Sequence, residues 1–457
     1  MRTMMEGTLA MAADLMGGML RGSDLQFWGV STDTRTLQKG ELFFALQGPN
    51  FDGAAFVEAA AGGHATGAVV PAPIDAGIPV IVVEDTLQAL SSLAAEWRQR
   101  MPATVIGVTG SNGKTTLKEM IARCLSLSAA TLPTQGNLNN EIGVPLTLAK
   151  LGNEHRYAVI EIGANHAGEI AHLTALVKPK IVAITNAAPA HLEGFGSLEG
   201  VAHAKGEILT SEVHPEVVIL NADDEFFPYW KSLVPDLDVR TFGLAPQADY
   251  RASDVYATEY GSAFTLHMPE SELQIALPLF GAHNVLHACA AAAVAASLEI
   301  DELQIKEGLE KSQPVAGRLQ PVQSLTGDTL YDDSYNANPV SVIAAAKFLA
   351  AQPGDNWLLL GDMAELGDDA AELHASVGRS LKDVGIRHLA ATGELCRHTV
   401  DAFGGDGLWF ATREELIERL LGSLDGKSNV LVKGSRSMGM EAVVEALRSG
   451  AEKERSR

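Results

Sequence analysis

Cysteine is scarce in this chain of 457 residues: Cys124, Cys289 and Cys396 stand far apart, without the paired spacing of a zinc site or a disulfide framework. They read as reduced thiols, and the expectation is a cytoplasmic protein. Positive charge is also short, with 34 Lys and Arg against 57 Asp and Glu and a formal net charge of −23. So acidic a chain has no general attraction to nucleic acid or anionic lipid, which removes both as default partners. Long apolar runs are missing too. Glu6 and Asp14 interrupt the run from Met4 to Leu20, and the Ala-rich run from Ala288 to Leu298 is too short to span a bilayer. What remains is an ordinary globular composition, 46% hydrophobic and 20% charged, long enough for about three domains. A monomer without membrane insertion is expected.

One stretch organises the rest. Thr104 to Thr109 is a short β-branched apolar run, the pattern of a buried parallel strand. It breaks into Gly110-Ser111-Asn112-Gly113, and a helical pattern starts at Lys114 and runs through Met120, Ile121 and Leu125. Strand, glycine-rich turn and helix start aim backbone N–H groups and the positive helix end at a phosphate. Lys114 can reach terminal phosphates, and the hydroxyl of Thr115, followed by Thr116, is placed for Mg²⁺. The spacing departs from the usual P-loop, since Val108 occupies the first glycine position and glycines stand at 107 and 110 instead. The alternative is a glycine-rich turn without a ligand.

Residues 1–100 read as a small α/β domain, with strand-like runs at 42–46, 67–70 and 79–83 and a closing amphipathic helix at 86–100. Two polar stretches, 30–35 with Ser31, Thr32, Asp33 and Arg35, and 47–53 with Asn50, could hold a phosphorylated or sugar-bearing ligand. They could equally be ordinary turns. From Pro102 strands and helices alternate. The loop 135–145 carries Asn137, Asn139 and Asn140, amides that could bond a ligand or form a cluster of Asx turns. The strand 157–161 ends in Glu161, where a nucleotide's Mg²⁺ commonly finds a carboxylate. The strand 180–186 leads to His191 on the same expected sheet edge, and Lys205 lies on the helix that follows. Alternation at 250–280 predicts a small antiparallel subsheet, and His283 and Asn284 open a long helix where capping is the simple role. A new pattern begins near residue 315, with strand ends at Asp332, Gly361, Gly393 and Lys433, and predicts a doubly wound sheet.

Together these stretches resemble the Mur ligase family of ATP-dependent amino-acid and peptide ligases. The resemblance rests on the modified P-loop from Gly107 to Thr116, Ser31-Thr-Asp-Thr-Arg35, Gly136-Asn-Leu-Asn-Asn140, Glu161-Ile-Gly-Ala-Asn-His166, Ala190-His-Leu-Glu-Gly-Phe-Gly196 and Ala204-Lys-Gly-Glu207. It continues through Gly281-Ala-His-Asn284, Asp332-Asp-Ser-Tyr-Asn-Ala-Asn-Pro339, Leu360-Gly-Asp-Met-Ala-Glu-Leu-Gly367 and Lys433-Gly-Ser-Arg436. It implies an α/β fold of three domains: 1–100 for a UDP-muramoyl peptide, 101–314 for ATP and 315–457 closing over it. ATP would lie on Thr109, Gly110, Ser111, Asn112, Gly113, Lys114, Thr115 and Thr116, with Asn284 at the adenine, Asp333 at the ribose and Arg318 near the phosphates. Mg²⁺ would be held by Thr115, Glu161, His191 and a carboxylated Lys205, and Lys114, Lys205 and His191 would serve catalysis. The polar stretches of the first domain would bind the UDP part, the Asn loop the muramoyl region, and Tyr335, Asn336 and Asn338 an incoming D-alanyl-D-alanine. The substrates implied are therefore UDP-N-acetylmuramoyl-tripeptide and that dipeptide. One position departs from the pattern, because His287 stands where the family usually has a second Asn. Rivals at this point are a family member adding a diamino acid, folylpolyglutamate synthetase, and a nucleotide-binding protein without turnover.

Overall fold

The computed structural model describes residues 4–48, 51–211, 213–324, 327–424 and 426–449. Three sheets carry the architecture. The first runs in the order 19–21, 80–82, 67–70, 42–44, 30–31, parallel except at the 19–21 edge. The helix Thr86–Arg100 begins on Asp85, whose carboxylate accepts the N–H groups of Leu87 and Gln88. Its far end ties this unit to the next. Trp97 Nε1 donates to Leu151 O at 2.9 Å, and Arg98 Nε to Val177 O at 3.1 Å.

The central sheet has nine strands, ordered 131–133, 157–161, 104–109, 181–184, 217–221, 238–243, 250–258, 261–267, 272–277. Its first seven strands are parallel, as buried Val- and Ile-rich runs covered by helices on both faces require. The expected antiparallel subsheet at 250–280 forms, but as the far edge of this same sheet. Tyr250 and Arg251 pair in parallel with Phe242 and Gly243, so the hairpins extend the sheet rather than stand apart. On one face the P-loop helix Lys114–Ser126 packs beside the helix Ala282–Ser297, whose alanines from Ala288 to Ala295 are wholly buried. Small side chains let these helices lie close to the sheet. On the other face Trp230 is fully buried, and its indole N–H donates to Ala202 O.

The third sheet runs 320–323, 329–333, 428–433, 355–361, 388–392, 408–410, parallel except at its first strand and covered on both faces by helices. In parallel α/β sheets ligands collect beyond the carboxyl ends of the strands. Here those ends in the central sheet, at Thr109, Glu161 and Ile184, lie side by side and face the third unit's strand ends at Asp333 and Lys433. Among the described residues no helix is long and apolar enough to cross a membrane.

Candidate active site

A cavity of about 350 Å³ lies between the central and last units. Its floor is the P-loop, whose shape follows from two glycines. Gly110 has φ 140° and Gly113 φ 81°, conformations that favour glycine. A Cβ on Gly110 would sit 1.9 Å from Thr185 Oγ1, and one on Gly113 2.0 Å from His287 Nε2. The loop between them is pinned from the neighbouring strand. Asn112 N donates to Asn186 Oδ1 at 3.0 Å, Thr185 Oγ1 to Asn112 O at 2.6 Å, and Ser111 Oγ to Ala188 O at 3.1 Å. Lys114 Nζ curls back onto Gly110 O at 2.7 Å and Ser111 O at 3.2 Å. Burial lowers its pKa; Glu161 opposes that shift and Arg318 adds to it.

The acidic wall is built from strand ends. Glu161 is buried, its N–H held by Thr134 Oγ1 at 3.0 Å and its Oε1 accepting from Asn139 Nδ2 at 2.7 Å. Its second oxygen, Oε2, is buried with no hydrogen-bond partner. His191 sits in left-handed backbone at φ 54°, rare for a residue with a side chain. Burial lowers its pKa against the opposing pull of Glu365, whose Oε2 lies 2.5 Å from Nδ1, close but out of hydrogen-bond alignment. Lys205 is buried behind this wall rather than on the cavity surface, its Nζ 4.9 Å from the centroid of the Phe195 ring. Burial, reinforced by the charge of Lys114, brings its pKa down to about 7. An orphaned carboxylate oxygen and a hydroxyl lining one space fit a hard divalent cation such as Mg²⁺, with the His191 imidazole beside them.

The opposite wall belongs to the last unit. Arg318 reaches across, its Nη2 donating to Thr115 Oγ1 at 3.0 Å while its guanidinium lies over the Tyr335 ring at 4.3 Å. Asp333 pairs with Lys433 at 2.8 Å and accepts from Leu319 N at 3.1 Å. Asn338 caps the helix Pro339–Ala350 through Oδ1 and bridges the cleft with Nδ2, 2.7 Å from Asn112 Oδ1. Asn336 Oδ1 accepts from Ala337 N. Asn284 is buried beside the P-loop, donating to Phe280 O at 2.8 Å. It is not the helix cap, a position held by Gly281 without a side-chain bond. His287 is pushed down to about 3 by burial, with the nearby His283 adding to the shift.

Among the expected residues, Ser111 to Thr116, Asn137, Asn139, Glu161, His191, Asn284, Arg318, Asp333, Tyr335, Asn336 and Asn338 line this one cavity. Thr109 and Gly110 lie beneath it; the Thr109 hydroxyl donates to Ile162 O. Asn140 lies outside, its Oδ1 accepting from Gly143 N. Ser31, Thr32, Asp33 and Arg35 are also outside, in the first unit. There Arg35 forks onto Asp33 at 2.6–3.1 Å and holds that carboxyl down at about 2. Asn50 falls outside the described residues. Sequence reasoning gave no role to Lys433 or Glu365, although both stood in stretches already singled out; their partners, Asp333 and His191, lie far away in the chain, which spacing does not reveal.

Comparison with known proteins identifies relatives of the whole chain. Residues 108–295 match the Mur ligase middle domain, and residues 317–436 the Mur ligase, glutamate ligase domain. The chain is 44% identical over 447 residues to the UDP-N-acetylmuramoyl-tripeptide--D-alanyl-D-alanine ligase of Escherichia coli K12, covering 97% of this chain and 99% of that one. A crystal structure of MurF from Acinetobacter baumannii superposes with a TM-score of 0.92 at 34% identity, covering 98% of this chain and all of that one. The MurF ligase of Thermotoga maritima, solved in complex with ADP, superposes at 0.81 with 25% identity over 93% of this chain and 98% of that one. The chain belongs to the Mur ligase family, in its UDP-N-acetylmuramoyl-tripeptide--D-alanyl-D-alanine ligase branch.

Proposed function

We propose that this enzyme joins D-alanyl-D-alanine to UDP-N-acetylmuramoyl-tripeptide with ATP, giving the UDP-linked pentapeptide, ADP and phosphate, a step of peptidoglycan precursor synthesis. The observation that carries the reading is the single cleft in which a P-loop lysine, an orphaned carboxylate oxygen, a left-handed histidine and a cross-domain arginine converge. Residues 1–100 hold the UDP part, 101–314 the nucleotide, and 315–457 the dipeptide.

A carboxylate is a poor acylating agent, so the tripeptide carboxylate attacks the γ-phosphate of ATP and forms an acyl phosphate. Two anions must approach, and the chain supplies positive groups where they meet: Lys114, Arg318 and the N–H groups at the start of the helix Lys114–Ser126. Mg²⁺ at Thr115, Glu161, His191 and a carboxylated Lys205 would add charge neutralisation there. Carboxylation needs a free amine at Lys205, and burial that brings its pKa to about 7 supplies one. Asn284 holds the adenine beside the loop, and Asp333 the ribose. Tyr335 and Asn336 face the dipeptide, whose free amine displaces phosphate from the acyl carbon. Contacts from Arg318 and Asn338 across the cleft keep water from the acyl phosphate.

The test is phosphate release with UDP-N-acetylmuramoyl-tripeptide, comparing D-alanyl-D-alanine with diaminopimelate, L-lysine and glutamate as acceptors. Release with the dipeptide supports the reading, and release with another acceptor alone overturns it. The last unit carries no Asp-Asn-Pro-Arg stretch, the pattern of family members that add a diamino acid.

A further inference from the structure

The stretch Leu360 to Gly367 has no place in the chemistry above, yet it touches the metal wall. Glu365 projects from it across the cleft, with Oε2 2.5 Å from His191 Nδ1, and Glu193 N donates to Glu365 O at 3.4 Å. Both partners hold sparsely populated left-handed backbone, His191 at φ 54° and Glu365 at φ 61°. Such conformations persist only where the surrounding structure fixes them, and they gather at functional sites.

The last unit does fix this loop. Met363 N donates to His374 Nε2 at 3.0 Å, Ala364 N to Ser435 Oγ at 2.7 Å, and Ser435 N to Asp362 O at 3.0 Å. The Asp362 carboxylate in turn takes the N–H groups of Cys396 and Leu395. Asp362, His374 and Cys396 lie close enough to suggest a metal triad of their own. Both ring nitrogens of His374 are already engaged, by Met363 N and Ala370 O, so the trio is a scaffold for the loop that presents Glu365.

We propose that Glu365 is a positioning residue that couples closure of the last unit to the metal wall. On closure its carboxylate, already against Nδ1 of His191, would align with that nitrogen and fix the ring. The other ring nitrogen, Nε2, would then be left for the cation. A carboxylate behind a ligating imidazole sets its orientation and raises its basicity. Because the carboxylate comes from the other unit, the coupling is reciprocal: closure strengthens cation binding, and cation binding favours closure. This inference rests on the ligase reading of the cleft.

The experiment titrates Mg²⁺ into the full-length protein with a non-hydrolysable ATP analogue and follows domain closure by small-angle scattering. Wild type is compared with Glu365→Gln, which keeps the size of the side chain, and Glu365→Gly, which relieves the left-handed backbone. Both variants should need about 10-fold more Mg²⁺ to reach half closure. Their analogue affinity in EDTA should match wild type, and neither should melt below wild type without nucleotide. Closure at the wild-type Mg²⁺ concentration in either variant overturns the inference and leaves the ligase reading standing. A wild-type protein that binds no nucleotide analogue with Mg²⁺ overturns both.

Discussion

Two polar regions of this molecule are built in opposite ways. In the cleft, polar groups are buried and some lack partners: Glu161 Oε2, His191 Nδ1 and Arg318 Nε make no hydrogen bond, and Lys205 is buried behind them. In the first unit, Asp33 and Arg35 are exposed and satisfy each other, the Arg35 side chain being 86% accessible. A buried group without a partner costs stability, and such a cost is retained where a ligand repays it. An exposed, self-paired couple costs little and contributes little. The cleft therefore declares a ligand through its physics, while the Asp33–Arg35 pair is assigned one by resemblance.

The sharpest way to break this contrast is at Lys205. Lys205→Ala should lower phosphate release by about 10³-fold, the scale of losing one preorganised electrostatic group in a water-poor site. Added short-chain carboxylate should restore part of it by standing in for the missing group. Full activity in the variant would remove the modified lysine from the mechanism. Arg318→Met should follow with a loss of about 10²-fold, since one guanidinium both bonds Thr115 and covers Tyr335. Substitution in the first unit should act differently. Arg35→Ala should raise KM for the UDP-linked substrate about 10-fold with kcat unchanged, the mark of binding lost equally from ground and transition states. Its melting temperature should not move. A changed kcat would show that the two regions are not separate in function.

The contrast also explains what was legible in the sequence. The P-loop could be read because strand, glycines and helix start lie within fourteen consecutive residues, and local backbone geometry decides the outcome. Glu161 and His191 could be read because each follows a strand whose carboxyl end must lie at one sheet edge. Glu365 could not, because its meaning depends on how two domains meet, and no local pattern encodes that. The alternating pattern at 250–277 predicts the antiparallel hairpins but not which sheet they join. Their attachment rests on a two-residue parallel pairing at Phe242 and Gly243, too short to leave a periodic signal. Asn284 was read as a candidate cap because position suggested it. The turn at Gly281 starts that helix unaided, which leaves the Asn284 amide beside the nucleotide loop.

The smallest expected effect, and the most discriminating for the cleft, concerns His287, which replaces an asparagine usual in the family. Its ring fills the space against Gly113, so His287→Asn removes volume and should cost about 1 kcal/mol at pH 7. Acid changes the balance. His287 is held at about 3 in the folded protein against 6.5 when free, so between those values the unfolded chain binds the extra proton. The stability tied to the neutral ring is full above pH 6.5 and is lost as pH falls toward 3, by about 1.4 kcal/mol per pH unit. Asparagine has no proton to gain. His374, also pushed down by burial, is present in both chains and drops out of the difference, while the charge of His283 acts on the His287 ring in wild type alone. The variant should therefore melt below wild type at pH 7, match it near pH 6 and melt above it at pH 5. Parallel melting curves across that range would mean that His287 is reached by water, and the cleft would lose part of its contrast with the exposed pair in the first unit.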